Sequence, residues 1–85
     1  MYHVYVLRSR VNGKYYVGQT SNLETRIKKH NWGESRSTKS GRPWELVYSE
    51  SFHTRTEAIR QERFLKSPAG WKTLSKIKSE RSAAR

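Results

Sequence analysis

Two short runs of β-branched and aromatic residues flank an Asn-Gly pair, and few folds accept that arrangement. Residues 2–7 read Tyr-His-Val-Tyr-Val-Leu and residues 14–19 read Lys-Tyr-Tyr-Val-Gly-Gln, with Asn12-Gly13 between them. A two-residue type I′ turn needs positive φ at both central positions, which Asn and Gly tolerate best. The pattern therefore predicts an antiparallel hairpin turning at Asn12-Gly13. An unbulged two-residue loop sets Val11 opposite Lys14, Ser9 opposite Tyr16, Leu7 opposite Gly18 and Tyr5 opposite Thr20. Strand side chains alternate, so Tyr5, Leu7, Tyr16 and Gly18 share one face and Val4, Val6, Tyr15 and Val17 the other.

Helical signals follow the hairpin. Ser21-Asn22-Leu23-Glu24 reads as a capping box opening a helix to about His30, ended by Asn31 to Gly33. Leu23 and Ile27 mark its inner stripe, with Arg26 and His30 on or beside it and Lys28 and Lys29 toward solvent. Residues 34–43 are polar and basic and read as a loop. Trp44, Leu46 and Tyr48 alternate with Glu45, Val47 and Ser49 and predict a third strand, over residues 44–52. Thr54 to Glu57 is a second capping box, for a helix to about Lys66. Ser67-Pro68-Ala69-Gly70 breaks that helix. Trp71, Leu74 and Ile77 suggest a short last one. The expected fold class is α+β: a three-stranded antiparallel sheet flanked by helices, in the order β-β-α-β-α-α.

Composition narrows the function. The chain has 85 residues, which makes one domain, since domains run ~50–250 residues. We expect that domain over residues 1–78, with residues 79–85 a disordered basic tail. Lys and Arg number 18 against 7 acids, a formal net charge of +11, which favours an acidic partner. There is no cysteine, so disulfide scaffolds, thiolate metal sites and cysteine nucleophiles are excluded. No apolar run approaches the ~18 residues of a membrane span. The expectation is a soluble, cytoplasmic protein, a monomer or weak dimer. There is no aspartate; the acids are Glu24, Glu34, Glu45, Glu50, Glu57, Glu62 and Glu80. A two-metal centre needs several clustered carboxylates. Any metal here would rest on one, with water and substrate phosphate completing its shell.

Several residues break the apolar pattern. Ala58, Ile59 and Leu65 define the buried stripe of the second long helix, and Glu62 lies inside it. A carboxylate on a buried face is costly unless paired or metal-bound. Arg26 poses the same problem in the first helix, so an Arg26–Glu62 ion pair is one reading and a metal at Glu62 the other. His30 alone reads as a hydrogen-bonded edge histidine, and Tyr5 and Tyr16 alone as core aromatics. Together, titratable groups gathered inside a strongly basic domain suggest phosphoryl chemistry on nucleic acid.

These residues carry a family resemblance. His3-Val4-Tyr5 stands where the GIY-YIG nuclease family writes Gly-Ile-Tyr, and Tyr16-Val17-Gly18 where it writes Tyr-Ile-Gly. Leu23-Glu24-x-Arg26 with His30-Asn31 matches the family's next helix, and Glu57-Ala58 through Glu62 to Lys66 its later one. Thr20, Asn22, Gly33, Thr38 and Pro43-Trp44 look like the signature of a small single-domain bacterial subfamily. The chain thus resembles the GIY-YIG domain over residues 2 to about 74, and is similar to the N-terminal nuclease domain of the bacterial repair excinuclease. Two departures stand out: His3 replaces the first glycine, and no asparagine follows Glu62, where many members carry one.

The resemblance implies a DNA endonuclease using one Mg²⁺ or Mn²⁺. Tyr16 or Tyr5 would activate water. Arg26 would neutralise the scissile phosphate, His30 would assist proton transfer or orient a tyrosine, and Glu62 would anchor the metal. Tyrosine ionises near pH ~10 and needs a neighbouring cation to act as a base at neutral pH. Lys14, Lys28, Lys29, Arg36, Lys39 and Arg42, in loops and on outer helix faces, are the candidate DNA contacts. The competing reading is a basic nucleic-acid-binding module on a nuclease scaffold, with little catalysis or dependent on a protein partner for targeting.

Overall fold

The expected hairpin forms the heart of a three-stranded antiparallel sheet. The computed structural model describes residues 1–36 and 38–83, without the side chains of Trp71 and residues 80–83. Strand β1 (Tyr2–Ser9) is central, between β2 (Tyr15–Thr20) and β3 (Trp44–Phe52). Helix α1 (Leu23–Trp32) follows β2, and α2 (Arg55–Lys66) and α3 (Trp71–Ala83) follow β3. The α+β class and the element order agree with the sequence reading.

The hairpin register differs from the expected one by two residues. Tyr5 pairs with Gly18, Val6 with Val17 and Leu7 with Tyr16. The turn is a wider loop, closed by Ser9 N–H to the Lys14 carbonyl at 2.8 Å and Gly13 N–H to the Ser9 carbonyl at 3.1 Å. Ser9 explains the widening. Its buried hydroxyl oxygen accepts from the backbone of Val11 and Asn12, both at 3.1 Å, and donates to the Gly41 carbonyl at 2.6 Å. Of the Asn12-Gly13 pair, Gly13 alone takes positive φ, at 74°. A shift of two preserves the side-chain alternation, so the faces remain as predicted.

Those faces carry two cores. Val4, Val6 and Val17 pack with Ala58 and Leu65 of α2 and with Leu74 of α3. Tyr5, Leu7 and Trp44 pack with Tyr16, Leu46, and Leu23 and Ile27 of α1. Helix α1 therefore covers one face, and α2 with α3 the other. The simple alternation read for β3 fails at a bulge. Leu7 pairs with Leu46 but Val6 with Tyr48, so Val47 is the extra residue. Trp44 and Leu46 face α1, whereas Tyr48 and Phe52 join the opposite core.

The helix ends partly follow the sequence reading. Asn22, not Ser21, caps α1, its side chain accepting from Thr25 N–H at 3.2 Å. Gly33, at φ 81°, ends the helix in the left-handed conformation. The Thr54–Glu57 capping box of α2 forms as read. Of the Trp71, Leu74 and Ile77 stripe, Ile77 is buried and Leu74 packs on the core, while Trp71's side chain lies outside the described residues. Helix α3 continues through Ala83, beyond the expected boundary at 78; of the expected tail, residues 84 and 85 lie outside the described residues.

Candidate active site

Tyr5 sits at the centre of the sheet with its ring over Gly18. A Cβ on Gly18 would lie 2.5 Å from the Tyr5 hydroxyl and 3.1 Å from the Tyr16 ring. Only glycine lets both aromatics lie flat on this face. Tyr5 is fully buried, whereas Tyr16, on the edge strand, is partly exposed. Their ring centroids are 6.3 Å apart, and the His30 ring is 5.8 Å from Tyr5 and 5.0 Å from Tyr16.

His30 is buried because α1 turns its last-but-two residue onto the sheet. Its Nε2 lies 2.9 Å from the Tyr5 hydroxyl and its Nδ1 2.8 Å from Thr38 Oγ1. Arg26, one turn earlier, donates from Nε to the same Tyr5 oxygen at 3.4 Å. Thr38 Oγ1 donates to the Ser35 carbonyl at 3.4 Å. One arrangement gives every hydrogen an acceptor. Arg26 donates to Tyr5, Tyr5 to His30 Nε2, His30 Nδ1–H to Thr38, and Thr38 to Ser35. His30 is then neutral with its proton on Nδ1. Burial first, and the Arg26 charge second, hold its pKa below the ordinary histidine value.

Tyr5 moves the other way. Burial raises its pKa most; the Arg26 hydrogen bond opposes that, while Tyr16 and Glu62 add to it. Tyr5 therefore stays a neutral hydroxyl. Hydrogen bonding to Tyr5 is the main reason that Arg26 is held above the usual arginine value, and Tyr16 contributes as well. Arg26 itself is partly exposed and lines two polar clefts. One, of about 450 Å³, is shared with Tyr2, Gln19, Thr20, Ser21 and Arg55; the other, of about 310 Å³, with Lys29, Glu34 and Ser35.

The neutral His30 has a consequence for stability. Its pKa is lowered on folding, so below the unfolded value near 6.5 the unfolded chain binds more protons than the folded one. Stability is full above that value and is lost as pH falls through it. We expect the melting temperature to drop between pH 7 and 5.5, a window above ordinary carboxylate titration. A His30→Gln variant should show a flatter profile in thermal melts.

Glu62 reaches the site from the other side. It belongs to α2, which packs under the opposite face, and its charge is the weakest of the influences that hold the Tyr5 hydroxyl protonated. The Arg26–Glu62 ion pair is not formed. Glu62 Oε2 instead accepts from Lys66 Nζ at 2.7 Å, one turn along its own helix. Lys66 also lies 5.8 Å from the Tyr16 ring centroid. An apolar groove of about 710 Å³ opens beside it between Tyr15, Tyr16, Leu65, Pro68 and Leu74. Among the described residues, no three His, Cys, Asp or Glu side chains group closely enough to hold a metal by themselves. A hard cation that keeps most of its waters needs only one carboxylate. Glu62, part-buried and with Lys66 its one cationic partner among the described residues, fits that demand for Mg²⁺ or Mn²⁺.

The remaining cations divide by position. Lys29 stands beside Arg26. Lys28 is paired with Glu24 at 3.4 Å on the outer face of α1. Lys14, Lys39 and Arg42 lie at the hairpin end, where Ser9 binds Gly41 and the backbone of Arg10 binds that of Pro43. Arg42 is braced on the Lys39 carbonyl at 3.0 Å and against Gly33. Arg36 is exposed in the same loop. That loop is tied down: Thr38 is buried and its carbonyl accepts from the Trp44 indole at 2.8 Å. Sequence reasoning gave no role to Thr38, Lys66 or Arg55. Lys66 was findable as the i+4 partner of Glu62.

A family model described as the GIY-YIG catalytic domain matches residues 1–74. A UPF0213 protein of Staphylococcus saprophyticus is 36% identical over 77 residues, covering 89% of this chain and 93% of its own. One from Halobacterium salinarum is 39% identical over 67 residues, covering 78% and 86%. The solution NMR structure of the UPF0213 protein BH0048 from Bacillus halodurans aligns with a TM-score of 0.54 at 33% identity, over 92% of this chain and 86% of that one.

Proposed function

This chain belongs to the GIY-YIG family, and on that premise we propose that it is a metal-dependent DNA endonuclease. Tyr16, having passed its own hydroxyl proton to solvent, takes a proton from the water that attacks the phosphorus of a phosphodiester; the P–O bond to one ester oxygen breaks, and that oxygen leaves with a proton from solvent. The observation that carries this reading is the setting of Arg26. Its guanidinium is anchored by the buried Tyr5 hydroxyl yet opens onto two polar clefts. A cation held rigidly at an accessible point suits charge that develops on a phosphate in the transition state.

Each neighbour then has a distinct part. Tyr5 positions Arg26. His30 positions Tyr5 and is itself oriented by Thr38. Tyr16 is the tyrosine open to solvent at this face and is the base. Glu62 would hold the divalent metal, which would supply positive charge to stabilise the phosphate in the transition state. The net charge of +11 draws DNA to this surface, and Lys29, Arg36, Lys39, Arg42 and Lys14 contact its backbone.

Supercoiled plasmid tests the reading directly. Nicking is expected with Mg²⁺ or Mn²⁺ and not with EDTA. Glu62→Gln should remove both nicking and the rise in melting temperature on adding Mn²⁺. The apo variant should stay folded, since among the described residues Glu62 pairs with Lys66 alone, near the surface. Plasmid that stays intact with every metal, yet is bound, would leave a nucleic-acid-binding module instead.

A further inference from the structure

Of the two clefts onto which Arg26 opens, the 450 Å³ one at the open end of β2 is given no further residue in the reaction just described. We propose that it seats a second, uncleaved phosphate of the DNA strand, with Arg55 as the cation that binds it. The proposal rests on the nuclease reading for the place of the cleaved bond.

The chemistry of the walls points to an oxyanion. Arg26 and Arg55 face the cleft with Tyr2, Gln19, Thr20 and Ser21, and among the described residues no carboxylate lines it. Arg8, Lys28 and Lys66 each have a glutamate partner. Among the described residues Arg55 has none. The nearest acid in sequence, Glu57, is engaged in the capping box, accepting from Thr54 N–H at 3.2 Å and from Thr54 Oγ1 at 3.1 Å. The Thr20 hydroxyl is tied to the Asn22 backbone. Ser21 and Gln19 remain as neutral donors beside two guanidinium forks, the set that suits phosphate oxygens.

Position along α2 sets the spacing. The first residue of the helix, Arg55, lies beside Gln19–Ser21, whereas Lys66 lies beside Tyr16 at the other end of β2. Seven residues separate Arg55 from Glu62, about 10 Å of helix. That is the rise of about three nucleotides, at ~3.4 Å per nucleotide along one strand. The seated phosphate therefore lies within three nucleotides of the cleaved bond. The strand passes from this cleft over Arg26 toward Lys29.

Equilibrium binding of a labelled duplex in EDTA, over a series of salt concentrations, tests the site without cleavage. Arg55→Ala should weaken binding several-fold and reduce the log–log salt slope by ~0.9, the signature of one lost phosphate contact. Arg55→Lys should keep the slope. Arg60→Ala is the comparison, because Arg60 is exposed on the same helix and lines neither cleft. Amide resonances of Gln19 and Ser21 should shift on adding DNA to the wild type but not to Arg55→Ala. An unchanged slope in Arg55→Ala, or an equal loss in Arg60→Ala, overturns the proposal. Plasmid that is not nicked while the Arg55 effect persists would refute the nuclease reading alone.

Discussion

Tyr16→Phe is expected to lower the nicking rate by ~10²–10⁴, the usual contribution of a general base, with a near-native melting temperature. The ring remains against Tyr5, His30 and Trp44, so the core survives. Tyr5→Phe should give the reverse balance. The Tyr5 hydroxyl is buried and serves both His30 and Arg26. Its loss strands the His30 Nε2 acceptor, at a cost of ~1–3 kcal/mol. The stability loss should be large and the rate loss the smaller of the two. Single-turnover nicking and thermal melts on both variants make the comparison. Wild-type nicking by Tyr16→Phe would remove it as the base.

Arg26→Ala should reduce kcat by ~10²–10³ while changing Kd modestly. Affinity is shared among many cations, since the chain carries 18 Lys and Arg. Stabilisation of the transition state is not shared. The measurement is kcat and Kd on one oligonucleotide, the latter in EDTA, with folding checked by circular dichroism. Equal losses in both would make Arg26 a binding residue only.

The faces of the sheet were readable from the sequence although the turn was not. An error of two residues in register leaves every side chain on its own side, whereas an error of one would have exchanged Tyr5 for Val4. The bulge at Val47 has no comparable signal. Trp44, Leu46 and Tyr48 alternate without interruption, and no glycine marks the extra residue. Its cause is tertiary: Tyr48 packs with Val6 on the α2 side, while Leu46 packs with Leu7 on the α1 side. Asn22 and Ser21 are both good caps, and local sequence does not rank them.

Glu62 shows a second kind of limit. Helical periodicity says which stripe of α2 is buried but not which sheet face buries it. Arg26 and Glu62 each lie on an inward stripe, yet their helices cover opposite faces. The charge on Arg26 is met by phenol oxygen, and that on Glu62 by Lys66 four residues away. Thr38 was visible as a signature residue. Its contact with His30 spans a loop whose path no periodicity encodes.

The chain of hydrogen bonds from Arg26 to Ser35 has fixed ends. A guanidinium gives hydrogens and never takes one; a peptide carbonyl takes and never gives. With a pure donor at one end and a pure acceptor at the other, one order of O–H and N–H bonds through Tyr5, His30 and Thr38 gives every hydrogen an acceptor. A Grotthuss relay must reverse every link after each passage, and reversing this row would leave the Tyr5 hydroxyl hydrogen without its acceptor. The row is built to hold orientation rather than to pass protons. On the proposed mechanism, the proton that Tyr16 takes from water therefore leaves outward to solvent rather than inward through His30.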